Sequence, residues 1–223
     1  RPRPRPHARP AELLATARAP ASGRTTDERR CTIMLHLSVA PLACLPRTLE
    51  IRARHAGHPL VAGIDEAGVG TIAGPLVAAA VMLPPDVSDG ALQLAAADSK
   101  SLPRSARREA CAELDRVAGL VWACGIVDAA HVDRLGSEAT AVAMRRAASS
   151  LETRLARRGL VQGCYYIIDG NRMPNGLAGE AVVRADALEA SVAAASIFAS
   201  VVHEQCMSAL ARRHALWDFE VNV

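Results

Sequence analysis

Two adjacent carboxylates, Asp65 and Glu66, stand between a short apolar run and a glycine-rich bend in residues 60–84, LVAGIDEAGVGTIAGPLVAAAVMLP. Two further acids stand in like places: Asp169 follows the apolar run CYYII, and Asp186 follows AVVRA. Strands of one sheet that end on the same edge would gather these four carboxylates there. Like charges at such range repel by several kcal/mol, about 4 at an effective dielectric of about 20. They share protons or bind a hard cation. Mg²⁺ or Mn²⁺, with carboxylate and water ligands, is the natural solution. A pair of such ions supports in-line phosphoryl chemistry, one activating water and the other stabilising the leaving oxygen. Asp and Gly after a strand are also ordinary turn residues, so spacing alone leaves both readings of Asp169 and Asp186 open.

The elements that must position these acids follow from the apolar pattern. Residues 60–84 read as two strands joined by a tight turn at Gly68, Gly70 and Gly74. Neighbouring side chains on a strand point to opposite faces. Asp65 and Glu66 therefore serve one site only if the chain bends there, which the glycines permit. A short helix is expected over 46–57 and an amphipathic one over 105–117, with Ala110, Leu114 and Val117 inward. Residues 121–127 read as a strand. Residues 129–158 read as a long helical region broken near Gly136, with Ala143, Ala147, Leu151 and Leu155 on its apolar side and Gly159 as its stop. Strands follow at 164–168 and 181–184. The last helix, 189–210, is so rich in small residues that it must pack closely, on the sheet. The result is an α/β domain with a mixed sheet.

Composition narrows the class. The chain has 223 residues, 50% hydrophobic but only 3% aromatic, so the core is built from Ala, Val, Leu and Ile. Lys100 is its one lysine. Residues 1–54 hold eleven arginines against four acids, a net of +7, which leaves −4 for the remainder. The opening RPRPRPHARP is polyproline-prone and charged. Residues 1–45 are expected to be a disordered extension, either a solvated arm or one with affinity for phosphate backbones. Met34 is a candidate start. Six cysteines without a C-x-x-C pair argue against zinc and suit a reducing cytoplasm. Arg29-Arg30 and the following CTIMLHLSVAPLAC mimic a signal peptide, but His36 and Pro41 fit that reading poorly. No apolar run is long enough to span a bilayer.

Five ordered motifs carry a resemblance. GIDEAGVGTIAGPLVAAAV, DSKSLP, MRRA, IDGN and DALEASVAAASIFA together resemble type 2 ribonuclease H (ribonuclease HII), over about residues 49–210. The resemblance implies a ribonuclease-H-like mixed sheet flanked by helices, occupying 46–223. It implies that Asp65, Glu66, Asp169 and Asp186 bind Mg²⁺ or Mn²⁺. The implied activity is metal-dependent cleavage of the RNA strand of RNA–DNA hybrids, or of DNA duplexes with embedded ribonucleotides, leaving 3′-hydroxyl and 5′-phosphate ends. Gly68, Val69 and Gly70 occupy the segment that reads the ribose 2′-hydroxyl in that family. Lys100 and Asn171 are further substrate contacts on this reading, although a solvated loop charge and a turn residue are their plainer alternatives. A cytoplasmic monomer is expected.

The departures from the family pattern are specific. Val69 stands where the family has Arg, and Leu188 where a basic residue is frequent. Ala185 replaces Gly, Ser200 replaces Lys, and His203-Glu204 replaces Arg-Asp. Several phosphate-facing charges are lost together. The chain stops at WDFEVNV, where the family continues into a Gly-Tyr segment, so a C-terminal truncation is expected. The alternative to the nuclease is an impaired relative that binds hybrid without cutting. A third reading is another nuclease or a transposase of the same fold.

Overall fold

The computed structural model describes residues 45–88, 90–91, 102–214 and 219. Most of the Arg/Pro-rich extension, Ser99 and Lys100 lie outside the described residues. The elements run α1 (Thr48–His55), β1 (Val61–Ala67), β2 (Leu76–Met82), α2 (Arg104–Leu114), β3 (Val121–Val127), α3 (Ala129–Leu135), α4 (Glu138–Ala156), β4 (Tyr165–Asp169), β5 (Gly179–Val182) and α5 (Ala190–Arg213). A 3₁₀ turn, Ala185–Ala187, precedes α5.

The five strands lie in the order β3-β2-β1-β4-β5. β1 pairs antiparallel with β2 and parallel with β4, so the sheet is mixed and β1 is its centre. Alternation along β1 and β2 splits the core in two. Ala62, Ile64, Ala78 and Ala80 pack with Ala143, Ala147, Leu151 and Leu155 of α4. Ala79 and Val81 pack with Ala194, Ile197 and Phe198 of α5 and with Leu114 of α2. All four expected apolar positions of α4 are buried. The helix break falls at Gly136, whose φ of 54° no ordinary helix position adopts.

A sheet face made of alanine lets the helices sit very close. At Gly125 of β3 an added Cβ would lie 2.2 Å from the Ala143 carbonyl oxygen of α4. At Gly63 of β1 it would lie 2.3 Å from the backbone of Ser191 and Val192, in the first turn of α5. Glycine inside a strand marks such an approach.

Two expectations need correction. β1 does not end at its acids: it runs regularly through Asp65 and Glu66 to Ala67, and residues 68–75 form a loop rather than a tight turn. The strand expected over 181–184 is β5, Gly179–Val182, because its parallel pairing with β4 ends where β4 ends, at Asp169↔Val182. Arg184 then turns the chain with a left-handed φ of 60°. Asp186 therefore sits in the 3₁₀ turn and not at a strand end.

Candidate metal centre

β1 and β4 are parallel neighbours, and Ile64 is level with Ile168. The next residue on each strand, Asp65 and Asp169, is thereby delivered to the same sheet edge. Asp65 pairs with Ala79, whose side chain belongs to the α5 face, so Asp65 faces that side. Only 2% of it is exposed. Its Oδ1 accepts the Glu66 backbone N–H at 2.7 Å.

Asp186 arrives from elsewhere in the chain and is tied in by Asp169. Oδ1 of Asp169 accepts the backbone N–H of Ala185, the residue before Asp186, at 2.7 Å. Carboxylate oxygens of Asp65, Asp169 and Asp186 all lie within 4.8 Å of one another. Three hard oxygen donors, with no thiolate or imidazole among them, suit a hard divalent cation. Three carboxylates this close also call for a compensating positive charge.

Glu66 is not within that group. It pairs with Ala78, whose side chain lies in the core on the α4 face, so the regular alternation of β1 turns it away from Asp65. It is half-buried at the strand's end.

The Gly68-Val69-Gly70 segment follows directly on β1. Gly68 has φ +98°, and a Cβ there would meet the Pro75 carbonyl oxygen at 2.7 Å and the His203 ring at 2.9 Å. Only glycine fits. Oγ1 of Thr71 closes the turn by donating to the Gly68 carbonyl at 2.8 Å. Val69 is 60% exposed, and Gly70 has open space around it. Asn171 is exposed, two residues beyond Asp169. A groove of about 300 Å³ runs from this loop to the start of α4, lined by Val69, Ile72, Val132, Ser137 and Thr140 among others.

His203 of α5 supports the loop from below. It is buried, and its Nε2 has no hydrogen-bond partner. Burial holds its pKa below the usual histidine value, against the Glu204 charge and a hydrogen bond with the Pro75 backbone. A base depressed in the folded state contributes stability above its unfolded pKa of about 6.5 and loses it as pH falls below that value. Thermal melts at pH 8 and pH 5.5 should therefore differ less in a His203→Leu variant than in the unaltered protein. Glu204, beside it, is a structural group: it is buried and pairs with Arg107 and Arg108 of α2.

Three of the described aromatics are structural too. Tyr166 is buried. Trp122 stacks on Phe198 with ring centroids 4.3 Å apart. Arg146 donates to the Ile126 carbonyl.

What the sequence did not single out is the framework around the acids. Gly63 lies under the first turn of α5, Asp169 bonds the Ala185 N–H, and the buried Glu50 and Glu189 join the starts of α1 and α5. A glycine within a strand was the one readable signal among them.

A mixed sheet in this order, with acids gathered at the shared end of its two central parallel strands, is the architecture of ribonuclease-H-like nucleases. The chain matches the family profile described as Ribonuclease HII over residues 62–222. It belongs to the ribonuclease HII family. It is 39% identical over 178 residues to the ribonuclease HII of Paracoccus denitrificans, covering 78% of each protein. It is 40% identical over 163 residues to that of Dechloromonas aromatica, covering 72% of this chain and 76% of the relative. Among solved structures, ribonuclease HII in a complex with PCNA from Archaeoglobus fulgidus superposes with a TM-score of 0.55 at 26% identity, covering 70% of this chain and 77% of the other. A ribonuclease HIII solved with Mn²⁺ shares the fold, with a TM-score of 0.59 at 24% identity, over 74% of this chain and 58% of the other.

Proposed function

We propose that the chain is an endoribonuclease that hydrolyses the RNA strand of RNA–DNA hybrids, including ribonucleotides embedded in DNA, and leaves 3′-hydroxyl and 5′-phosphate ends. The observation that carries this is the convergence of Asp65, Asp169 and Asp186 within 4.8 Å, in a chain of this family. These three residues would hold Mg²⁺ or Mn²⁺, with Glu66, at the end of the same strand but on its other face, as a fourth acid of the site on this reading. A divalent cation bound there supplies activation of water and neutralisation of charge at the leaving oxygen.

The chain's own residues supply the positioning. Asp169 has two tasks, because one of its oxygens also fixes the turn that carries Asp186. The open space around Gly70 lets a ribose approach the backbone closely enough for its 2′-hydroxyl to be read, on a loop that Gly68 lets settle against His203. The groove beside the loop gives the substrate strand a place to lie, and Asn171 and Lys100 are further contacts on this reading. The same reading places a monomer in the cytoplasm, a setting that suits the free thiols of Cys111, Cys124, Cys164 and Cys206. Among the described residues no helix is long and apolar enough to cross a membrane.

A panel of labelled substrates tests the proposal: an RNA–DNA hybrid, a DNA duplex with a single ribonucleotide, and a plain DNA duplex, each with Mn²⁺ and with chelator. Metal-dependent cutting of the first two alone is expected. Binding of hybrid without cutting would select the impaired relative, and cutting of plain DNA would select a different nuclease of this fold.

Val69 yields a second measurement. Its side chain is exposed, and on this reading a guanidinium there would reach phosphate. A Val69→Arg variant should bind hybrid more tightly and steepen the dependence of log affinity on log salt by about 0.7–0.9, the signature of one added phosphate contact. An unchanged slope would remove this loop from the phosphate-facing surface.

A further inference from the structure

We propose that Glu189 is a positioning residue for Asp186, acting with Glu50 as a two-way clasp that locks the start of α5 to the start of α1. The proposal rests on the reading of Asp65, Asp169 and Asp186 as a metal site.

The start of every helix leaves backbone N–H groups without intrahelical partners. Here two helices from distant parts of the chain cap each other. Glu189, the residue before α5, accepts the Leu49 N–H of α1 at 2.9 Å on one oxygen and the Glu50 N–H at 3.1 Å on the other. Glu50, inside α1, accepts the Ser191 N–H of α5 at 3.3 Å. The Ala190 N–H donates to the Pro46 carbonyl beside them. Both carboxylates are fully buried. Arg47 neutralises Glu50, with Nε and Nη2 at 2.9 and 2.6 Å from Oε2, and Arg54 lies 3.7 Å from the same oxygen.

The clasp is adjacent to the metal site without entering it. Glu189 follows Asp186 by three residues, and the N–H groups of Leu188 and Glu189 both return to the Ala185 carbonyl. Upstream, the same turn is tied by Ala185 to Asp169. The Asp186 turn is thus held at both ends, by Asp169 before it and by Glu189 after it. Loss of the second tether frees one side of the turn and with it the third carboxylate.

The groups that face Glu189 are Glu50, Arg47 and the backbone donors of Leu49 and Glu50. Burial and the Glu50 charge push its carboxyl up to about 7, while the two N–H donors and Arg47 favour the anion. Glu189 therefore gains or loses its charge close to neutrality, and Gln at this position imitates the uncharged state.

The test is a calorimetric titration of the full chain with Mn²⁺, without substrate, at pH 6, 7 and 8. The unaltered protein is expected to bind less tightly as pH falls through about 7. Glu189→Gln should bind about five-fold more weakly at pH 8, the scale of one lost helix cap, and should lack the inflection near 7. Glu50→Gln breaks the other half of the clasp and should weaken binding in the same direction, so it carries the test if the first variant does not fold. Wild-type affinity with the inflection intact, in either folded variant, overturns the proposal. Asp169→Asn in the same titration separates the two readings: if it also binds Mn²⁺ like the unaltered protein, the metal site itself is wrong, whatever Glu189 does.

Discussion

Replacing Asp169 with Asn is expected to cut hybrid cleavage by about 10³-fold or more while leaving the fold intact. The amide oxygen of Asn can still accept the Ala185 N–H, so the turn that carries Asp186 stays in place. What disappears is one full negative charge from a group whose oxygens lie within 4.8 Å of each other. Charge stabilisation at a reacting centre is the dominant catalytic term, and loss of a single preorganised contact commonly costs 10²- to 10³-fold. Losing a metal ligand is at least as severe. A fluorescent hybrid assay with Mn²⁺, read beside a thermal melt, decides the point. Equal turnover in the variant and the unaltered protein would mean that the observed cleavage does not come from these acids.

Gly63→Ala should be almost as damaging, although Gly63 touches no substrate. Its added methyl would lie 2.3 Å from Ser191 C and Val192 N, which are backbone atoms with no rotamer to escape into. The first turn of α5 must lift off β1. Overpacking of this kind costs on the order of 2 kcal/mol, or about 4–8 °C in Tm for a chain of this size. The lift also separates Asp65, two residues along β1, from Asp186, just ahead of α5. Mn²⁺ affinity should therefore fall together with Tm. A variant with unchanged metal affinity would show that the approach of α5 to β1 does not set the site.

Local patterning made much of this legible before any coordinates. Residues 121–127 form the expected strand, and the helix over 129–158 breaks at Gly136, because a short apolar run and a lone glycine act within a few residues. The acids were visible as types, but their grouping depends on partners far along the chain. Strand alternation puts Glu66 on the face opposite Asp65, and this became visible only when β1 proved to continue past both. Asp186 looked like a strand terminus because Ala181, Val182 and Val183 are apolar enough for a strand, whereas its true place is set by where β4 runs out. Glu50 and Glu189 read as ordinary charged residues. Nothing local reveals that each accepts backbone N–H groups about 140 positions away, at the start of the other's helix.

The parallel pairing of β1 with β4 dictates when competence arises during synthesis. The antiparallel meander of β1, β2 and β3 closes from neighbours in sequence, but Asp65 must wait about a hundred residues for Asp169 and longer for the turn behind it. Closing such a long excursion is entropically slow compared with a hairpin. A nascent chain paused before residue 165 would hold β1, β2 and β3 with Asp65 lacking both its partner acids and the α5 cover, and cleavage could begin only after the final helix has emerged and docked.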